Sequence, residues 1–300
     1  LFILIFLFCL IFLSLFVFFF FHKTEDKKKY NFFWLSKETS ILVNNWFMMY
    51  FLTVVLIGTI YPIFLEVINS QKISVGPPFY NKLIIPFLIP FLLAMAIGPK
   101  LSWIKSDLKN KIPLIIFLII SFSLSALIVK NLSISFLVNT ILISSALFLF
   151  FVTLRDFLVK SSNNISQKLA HFGFSLLILS ILLNNIFSNE IITNLKVGET
   201  YNDSNVKIVF EGIDQKKINN YNSIIANFKI TSANGEKNKL SPELRIYNQP
   251  AIATSEADIK TSLISDKFIV INLVQNQDYF NVRYQVKPFM LWIWISVILI

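Results

Sequence analysis

The sequence is poor in the residues that carry most enzyme chemistry. Its 300 residues include one cysteine, Cys9, so no disulfide can form within the chain and no C-x-x-C motif is present. It contains no G-x-S-x-G, no H-E-x-x-H and no glycine-rich phosphate loop, and it has only seven glycines. These absences argue against hydrolases of those classes and against a P-loop nucleotide site. Any thiol chemistry must use the sulfur of a partner.

Charged residues are also few, at 15% of the chain, yet the net charge is +10. A basic balance can indicate nucleic-acid binding when lysines and arginines form a stripe with interleaved aromatic residues. Here they lie in short segments between apolar runs, where basic residues report the orientation of membrane spans. We therefore predict no nucleic-acid partner, and lipid as one partner of the chain.

What the chain has in excess is apolar sequence, with 55% hydrophobic residues and 32 phenylalanines. Apolar runs of about 17–25 residues recur, and a helix of that length spans a bilayer. We predict spans at about 1–21, 41–65, 83–98, 113–129, 132–154 and 169–187, together a membrane domain over 1–187, and the start of a seventh span at 288–300. Because the chain opens on Leu inside one apolar run and closes inside another, we expect it to be part of a longer protein.

The distribution of lysine and arginine predicts the orientation. The segments after spans one, three and five carry twelve of these residues, and those after spans two and four carry three. The richer side is expected to be cytoplasmic. Residues 188–287 then lie on the opposite side, which in a bacterial inner membrane is the periplasm. No acidic residue falls inside the predicted spans, so a proton relay of the pump type is not expected.

The long polar segment 188–287 has the patterning of β structure. Phe280, Val282, Tyr284 and Val286 alternate with polar residues, which is the period of a half-buried strand. Residues 226–230 run into Asn234-Gly235, a two-residue hairpin signal, and 268–274 read as a central strand. We predict an antiparallel β domain of about five to seven strands. The fold class is therefore a polytopic α-helical membrane protein with an inserted extracytoplasmic antiparallel β domain.

His171 is the first candidate functional residue. It stands near the start of the sixth predicted span, and ionisable groups inside a bilayer are expensive and rarely idle. Imidazole is also a common ligand of haem iron. In one interpretation His171 is a hydrated interfacial residue; in the other it is an axial haem ligand. Gly173 matters in the second case, because a residue without a side chain lets a macrocycle or a neighbouring helix approach closely.

Several motifs, in order along nearly the whole chain, resemble the CcmF family. They are Ser36-Lys-Glu38, Leu42-Val-Asn-Asn45, Gly58-Thr-Ile-Tyr-Pro62, the specific stretch Lys72-Ile-Ser-Val-Gly-Pro-Pro-Phe-Tyr-Asn81, Ala94-Met-Ala-Ile-Gly-Pro99, Leu169-Ala-His-Phe-Gly173, Pro242-Glu-Leu-Arg-Ile-Tyr247 and Val286-Lys-Pro-Phe-Met-Leu-Trp-Ile-Trp294. Leu291 and Ser296 depart from the pattern, which has a basic residue and a glycine there.

The resemblance implies the C-terminal portion of a cytochrome c haem lyase. Such a protein takes haem from a periplasmic haem chaperone and works with a thiol-handling maturation subunit. It attaches the haem to the C-x-x-C-H thiols of apocytochrome c. The resemblance also implies that His171 is an axial ligand of a membrane haem b. The second ligand and the Trp-rich haem-handling loop would lie upstream, so no catalytic residue is predicted in this chain.

A rival hypothesis is a non-enzymatic membrane transporter or assembly scaffold in which His171 is only interfacial. A third is that the outer domain is a docking module for chaperones. The sequence alone leaves all three open.

Overall fold

The structure is a computed structural model that describes residues 2–21, 33–69, 73–105, 112–130, 132, 135–159, 164–233, 235–274 and 278–300. Side chains are described from Ile5 onward. Lys72 of the specific stretch and Asn234 of the predicted hairpin lie outside these residues. The predicted fold class is confirmed in its architecture, since long apolar helices are followed by an antiparallel β sandwich.

Among the described residues, six helices precede the sandwich and one follows it. They are α1 (Phe2–Phe21), α2 (Lys37–Asn69), α3 (Pro77–Ile97), α4 (Ile112–Lys130), α5 (Phe136–Leu158), α6 (Ile165–Phe187) and α7 (Met290–Leu299). Within the described residues, five of them, α2 to α6, are long and apolar enough to cross a membrane. The described part of α1 and the whole of α7 are shorter apolar helices.

Several helices extend beyond the apolar windows that predicted them. Helix α2 begins at Lys37 and α3 at Pro77, whereas the windows began at 41 and 83. A helix can continue through the head-group layer with polar residues, so apolar windows understate its length. Pro86 and Pro90 lie inside α3 without ending it.

Helix α5 is the centre of the helical part. In its most apolar window 61% of residues are buried, against 11–22% in the other four long helices. It packs against α3, α4 and α6. Its buried face contains Ser144, Ser145, Ala146 and Thr153, small residues that let helix backbones approach closely where lipid supplies no hydrophobic drive.

In the residues that the structure describes, the sandwich has ten strands rather than the predicted five to seven. They are β1 (Asn189–Leu195), β2 (Thr200–Asn202), β3 (Val206–Ile218), β4 (Tyr221–Ser232), β5 (Lys237–Leu240), β6 (Glu243–Tyr247), β7 (Ala253–Glu256), β8 (Asp258–Lys260), β9 (Ser265–Leu273) and β10 (Phe280–Pro288). The additional ones are mostly strands of three or four residues, such as β2, β7 and β8. Such strands are too short to show an alternating pattern.

The strands form two antiparallel sheets. One has the order β1-β10-β9-β8, and the other has the order β2-β3-β4-β6-β7 with β5 paired to β4. Strand β9 is interior, as its continuous apolar sequence predicted. Between the sheets lies one core that includes Phe210, Phe228, Ile271 and Val282. The sandwich connects to the helices at one end, because β1 follows α6 directly and β10 leads into α7.

Candidate functional site

His171 lies in the second turn of α6, and its side chain is half-buried. The imidazole faces a groove of about 340 Å³ between α2, α3 and α6. Phe91, Ala94 and Met95 of α3 line the apolar wall of this groove. Helix α2 provides a more polar wall with Lys37, Ser40, Ile41 and Asn44. We call this space the His171 groove.

The sequence spacing of the lining residues explains how two helices present them together. Lys37, Ser40, Ile41 and Asn44 are three or four residues apart, as are Phe91, Ala94, Met95 and Gly98. Residues at these spacings share one face of a helix. The two helices meet closely at the end of the groove, because a Cβ added at Gly98 would collide with the Ser40 hydroxyl. The spacing was readable in the sequence, but nothing there indicated that the two faces meet.

An ion pair lies beside the histidine. Lys100 Nζ donates to Asp156 Oδ1 at 2.7 Å, and both side chains are about one fifth to one quarter exposed. Asp156 lines a small cavity together with Gln167, Lys168 and His171. The predicted spans themselves contain no acidic residue, but two of the helices extend beyond them and include one each. Asp156 lies within α5, past the predicted end at 154, and Glu66 lies within α2, past the predicted end at 65.

Gly173 serves helix packing rather than the groove. Successive residues of a helix are separated by about 100°, so residues 171 and 173 face nearly opposite sides. A Cβ at Gly173 would lie 3.0 Å from both the Leu299 Cβ and the Ser296 carbonyl oxygen of α7. Ser296, which stands where the family pattern has glycine, is fully buried at this contact. The close approach expected at Gly173 is thus made by a helix.

The imidazole is available as a ligand. No described side chain or carbonyl forms a hydrogen bond with it, and no group of three or more His, Cys, Asp or Glu residues that could hold a metal occurs among the described residues. A site built from protein ligands alone would need three or four such donors. A porphyrin supplies four nitrogens itself and needs only axial ligands from the protein. One free imidazole facing an apolar wall fits that requirement and does not fit a bare metal ion.

Comparison with known proteins bears on the whole chain. A family described as CcmF C-terminal beta-sandwich matches residues 186–288. The CcmF cytochrome c-type biogenesis protein of Pseudomonas fluorescens is 26% identical over 279 residues, which cover 88% of this chain and 42% of that protein. The CcmF protein of Escherichia coli K12 is 25% identical over 283 residues, covering 91% of this chain and 43% of that protein. The chain belongs to the CcmF family.

The likeness in fold covers both the helices and the sandwich. A solved structure of the cytochrome c haem lyase CcmF has the same fold, with a TM-score of 0.67 at 20% identity, over 89% of this chain and 45% of that chain. The chain spans less than half the length of the CcmF relatives it matches and corresponds to their C-terminal part. It is a multi-pass membrane protein of that family.

Proposed function

We propose that this chain forms the C-terminal part of a cytochrome c haem lyase and that His171 is an axial ligand of a membrane haem b. The carrying observation is the His171 imidazole, which has no hydrogen-bond partner among the described residues and faces an apolar-walled groove between helices. Family membership supports the haem as the occupant, because the relatives bear the name of cytochrome c biogenesis proteins.

The residues around the groove have distinct tasks in this proposal. His171 would hold the haem iron through a neutral imidazole nitrogen. Phe91 and Met95 exclude water from one side of the groove. Lys37 lies on the polar wall of the groove, where a cation favours the carboxylates of a propionate-bearing ligand. A bound haem would supply one-electron chemistry, and the protein would position and tune it.

The wider reaction follows from the family and stays part of the proposal. Haem would arrive from a periplasmic haem chaperone, and a thiol-handling maturation subunit would hold the reduced apocytochrome c. The two thiols that receive the haem would belong to the apocytochrome, since the only cysteine here is Cys9, exposed on α1. The β sandwich would lie in the periplasm above the inner membrane.

The test is the absorbance spectrum of the protein purified together with the remainder of its maturation complex. His171→Ala should abolish the b-type bands and stop maturation of c-type cytochromes. The matched control is His22→Ala, which removes the only other histidine of the chain and should leave both unchanged. If His171→Ala keeps the wild-type spectrum, the haem-ligand role is wrong, and the transporter or scaffold hypothesis takes its place.

A further inference from the structure

The depth of the last helix relative to the membrane can be read from its contacts with α6. Asn184 Nδ2, in the last turn of α6, donates to the Pro288 carbonyl oxygen at 2.5 Å, just before α7 begins. At the other end of α7, Leu299 and Ile300 face Gly173. Helix α7 therefore runs antiparallel beside a span for its whole described length. Its first turn lies at the same level as the last turn of α6, which is the membrane boundary on the sandwich side.

A turn of the sandwich is bonded to that first helical turn. It joins β8 to β9 and contains Ser262, Leu263 and Ile264. The amide of Phe289 donates to the Ile264 carbonyl oxygen at 2.8 Å, and Trp292 Nε1 donates to the Leu263 carbonyl oxygen at 2.9 Å. Tryptophan at such a position is typical of the membrane interface. The turn is thus held at the boundary level, well apart from the distal end of the sandwich.

Two large apolar side chains project from this turn. Leu263 and Ile264 are 71% and 72% exposed. Several polar groups of the turn are hydrogen-bonded, because the Ser262 amide and hydroxyl both donate to the Ser265 carbonyl oxygen, and the Ser265 amide donates to the Ser262 hydroxyl. Each of these bonds lowers the cost of entering an apolar layer, since lipid offers no replacement hydrogen bonds.

Lysines lie around the turn, together with one acidic partner. Lys260 and Lys267 flank it in sequence, and both line a membrane-proximal cavity that also contains Ile264 and Glu236, whose carboxylate pairs with Lys267. Lys287 lies on β10, immediately before the last residue of that strand, with its ammonium group 5.9 Å from the Phe268 ring centroid. Basic residues around an apolar tip favour anionic head groups at the surface of a bilayer. Apolar tip, aromatic neighbour and basic rim together match a lipid surface.

We propose that Leu263 and Ile264 insert into the lipid leaflet on the sandwich side and anchor the β domain to the membrane. The sandwich is already tied to the bilayer through its connections to α6 and α7. The turn adds a third contact with the membrane that does not pass through the chain connections to α6 and α7. This contact would hold the four-stranded sheet at a fixed height and restrict its rotation about those two connections. This inference does not depend on the haem ligand.

The experiment places an environment-sensitive fluorophore on single cysteines of the full chain. In a Cys9→Ser background, Leu263→Cys or Ile264→Cys is labelled with a nitrobenzoxadiazole probe. The protein is reconstituted into vesicles of phosphatidylcholine and phosphatidylglycerol. Labels at both positions should show blue-shifted emission. Their fluorescence intensity should fall strongly when lipids that carry a shallow nitroxide are included, because the nitroxide quenches a nearby fluorophore. Using two positions keeps the test valid if one variant does not fold.

Ile252→Cys provides the matched control. Ile252 is 52% exposed and lies in the turn between β6 and β7, hydrogen-bonded through its carbonyl oxygen to the Tyr247 amide. Tyr247 pairs with Tyr221, the first residue of β4. The last residue of β4, Ser232, lines the membrane-proximal cavity. The control therefore lies about 35 Å further along the strand, by the usual rise per residue. It should stay water-exposed and unquenched.

Two outcomes overturn the proposal. Emission at 263 and 264 that matches the Ile252 label would place the turn in water. Blue-shifted emission without quenching by nitroxide lipids would mean that protein, not lipid, covers the turn.

Discussion

Both parts have a buried apolar core, but the helical part differs from the β sandwich in the residues that it exposes and in the small polar residues that it buries. In the sandwich, large apolar side chains such as Phe228 and Ile271 are buried. In the helical part, Phe18, Phe19 and many other large apolar residues are exposed, whereas Ser121, Ser125 and Ser175 are fully buried. The reason is the solvent. The sandwich excludes apolar surface from water, while the helices expose it to lipid and use small residues where they touch one another.

This difference also separates the places where chemistry is possible. The sandwich core is filled and self-contained, and its charges lie on its surface or in its membrane-proximal cavity. The helical part leaves a groove beside His171 between α2, α3 and α6. The candidate site therefore lies where three helices meet and not inside the core of the sandwich.

Removing one phenylalanine ring from each part should have very different effects on stability. Phe228→Ala should destabilise the sandwich by about 3–5 kcal/mol, because it deletes a ring that is 1% exposed and leaves a cavity. Phe19→Ala, at a position 72% exposed on α1, should change the free energy of unfolding by less than about 1 kcal/mol. Hydrogen exchange in detergent micelles reports each part separately.

In Phe228→Ala, the amides of β3 and β4 should exchange faster while those of α4 and α5 keep their protection. Equal effects of the two substitutions would contradict the assignment of lipid as the solvent of α1.

The sequence predicted the sandwich through its longest strands and the helices through their apolar runs. Strand β10 was visible because Val282 and Tyr284 are buried and alternate with Arg283. The edge strands β7 and β8 could not be predicted from the sequence, since they have only four and three residues. Helix ends were misplaced by several residues for the same kind of reason. Polar residues at the boundary are equally compatible with a loop and with the last turn of a helix.

A buried tyrosine of the sandwich, Tyr284, should make its stability depend on pH. Burial, aided by the negative charge of Glu236, raises the pKa of Tyr284 from 10.0 to about 12. Folding then favours the protonated phenol. This contribution to stability is complete below pH 10 and is lost as the pH rises towards 12. At pH 12 the loss amounts to roughly 2–3 kcal/mol.

Tyr284→Phe should remove that alkaline loss while changing stability little at pH 7. Urea unfolding of the sandwich between pH 9 and pH 12 measures it. Tyr247→Phe, on β6, is the control and should keep the wild-type dependence. If Tyr284→Phe loses stability as steeply as the wild type, the phenol is not the group that titrates.

The candidate site was predictable in part. His171 was identifiable by residue type and position, since an imidazole at the mouth of an apolar helix is unusual. Lys100 and Asp156 were not, because they are 56 residues apart and only the packing of α3 against α5 brings them together. Gly173 was identified as a point of close approach, yet only the structure shows that α7 occupies that space.

Breaking one ion pair in each part should change the stability least of all these substitutions. Asp156→Asn breaks the pair with Lys100 and leaves the ammonium group without its partner beside the His171 groove. The side chains of Asp156 and Lys100 are 24% and 21% exposed. We expect a loss of about 1–2 kcal/mol, between the values for exposed and fully buried pairs. Glu190→Gln breaks the pair with Arg283, whose side chains are 39% and 49% exposed. Thermal unfolding in micelles should register the first change and not the second.

The effect of salt tests how far the Asp156–Lys100 pair is shielded from water. Raising the ionic strength should leave the cost of Asp156→Asn largely unchanged, because low-dielectric surroundings limit screening at a partly buried pair. The substitution Asp156→Asn should shift the b-type absorbance only if the charge of Asp156 acts on His171, which lines the same small cavity. A salt-sensitive cost at Asp156 would mean that water reaches the pair freely, and the helical part would then be wetter at its boundary than its burial indicates.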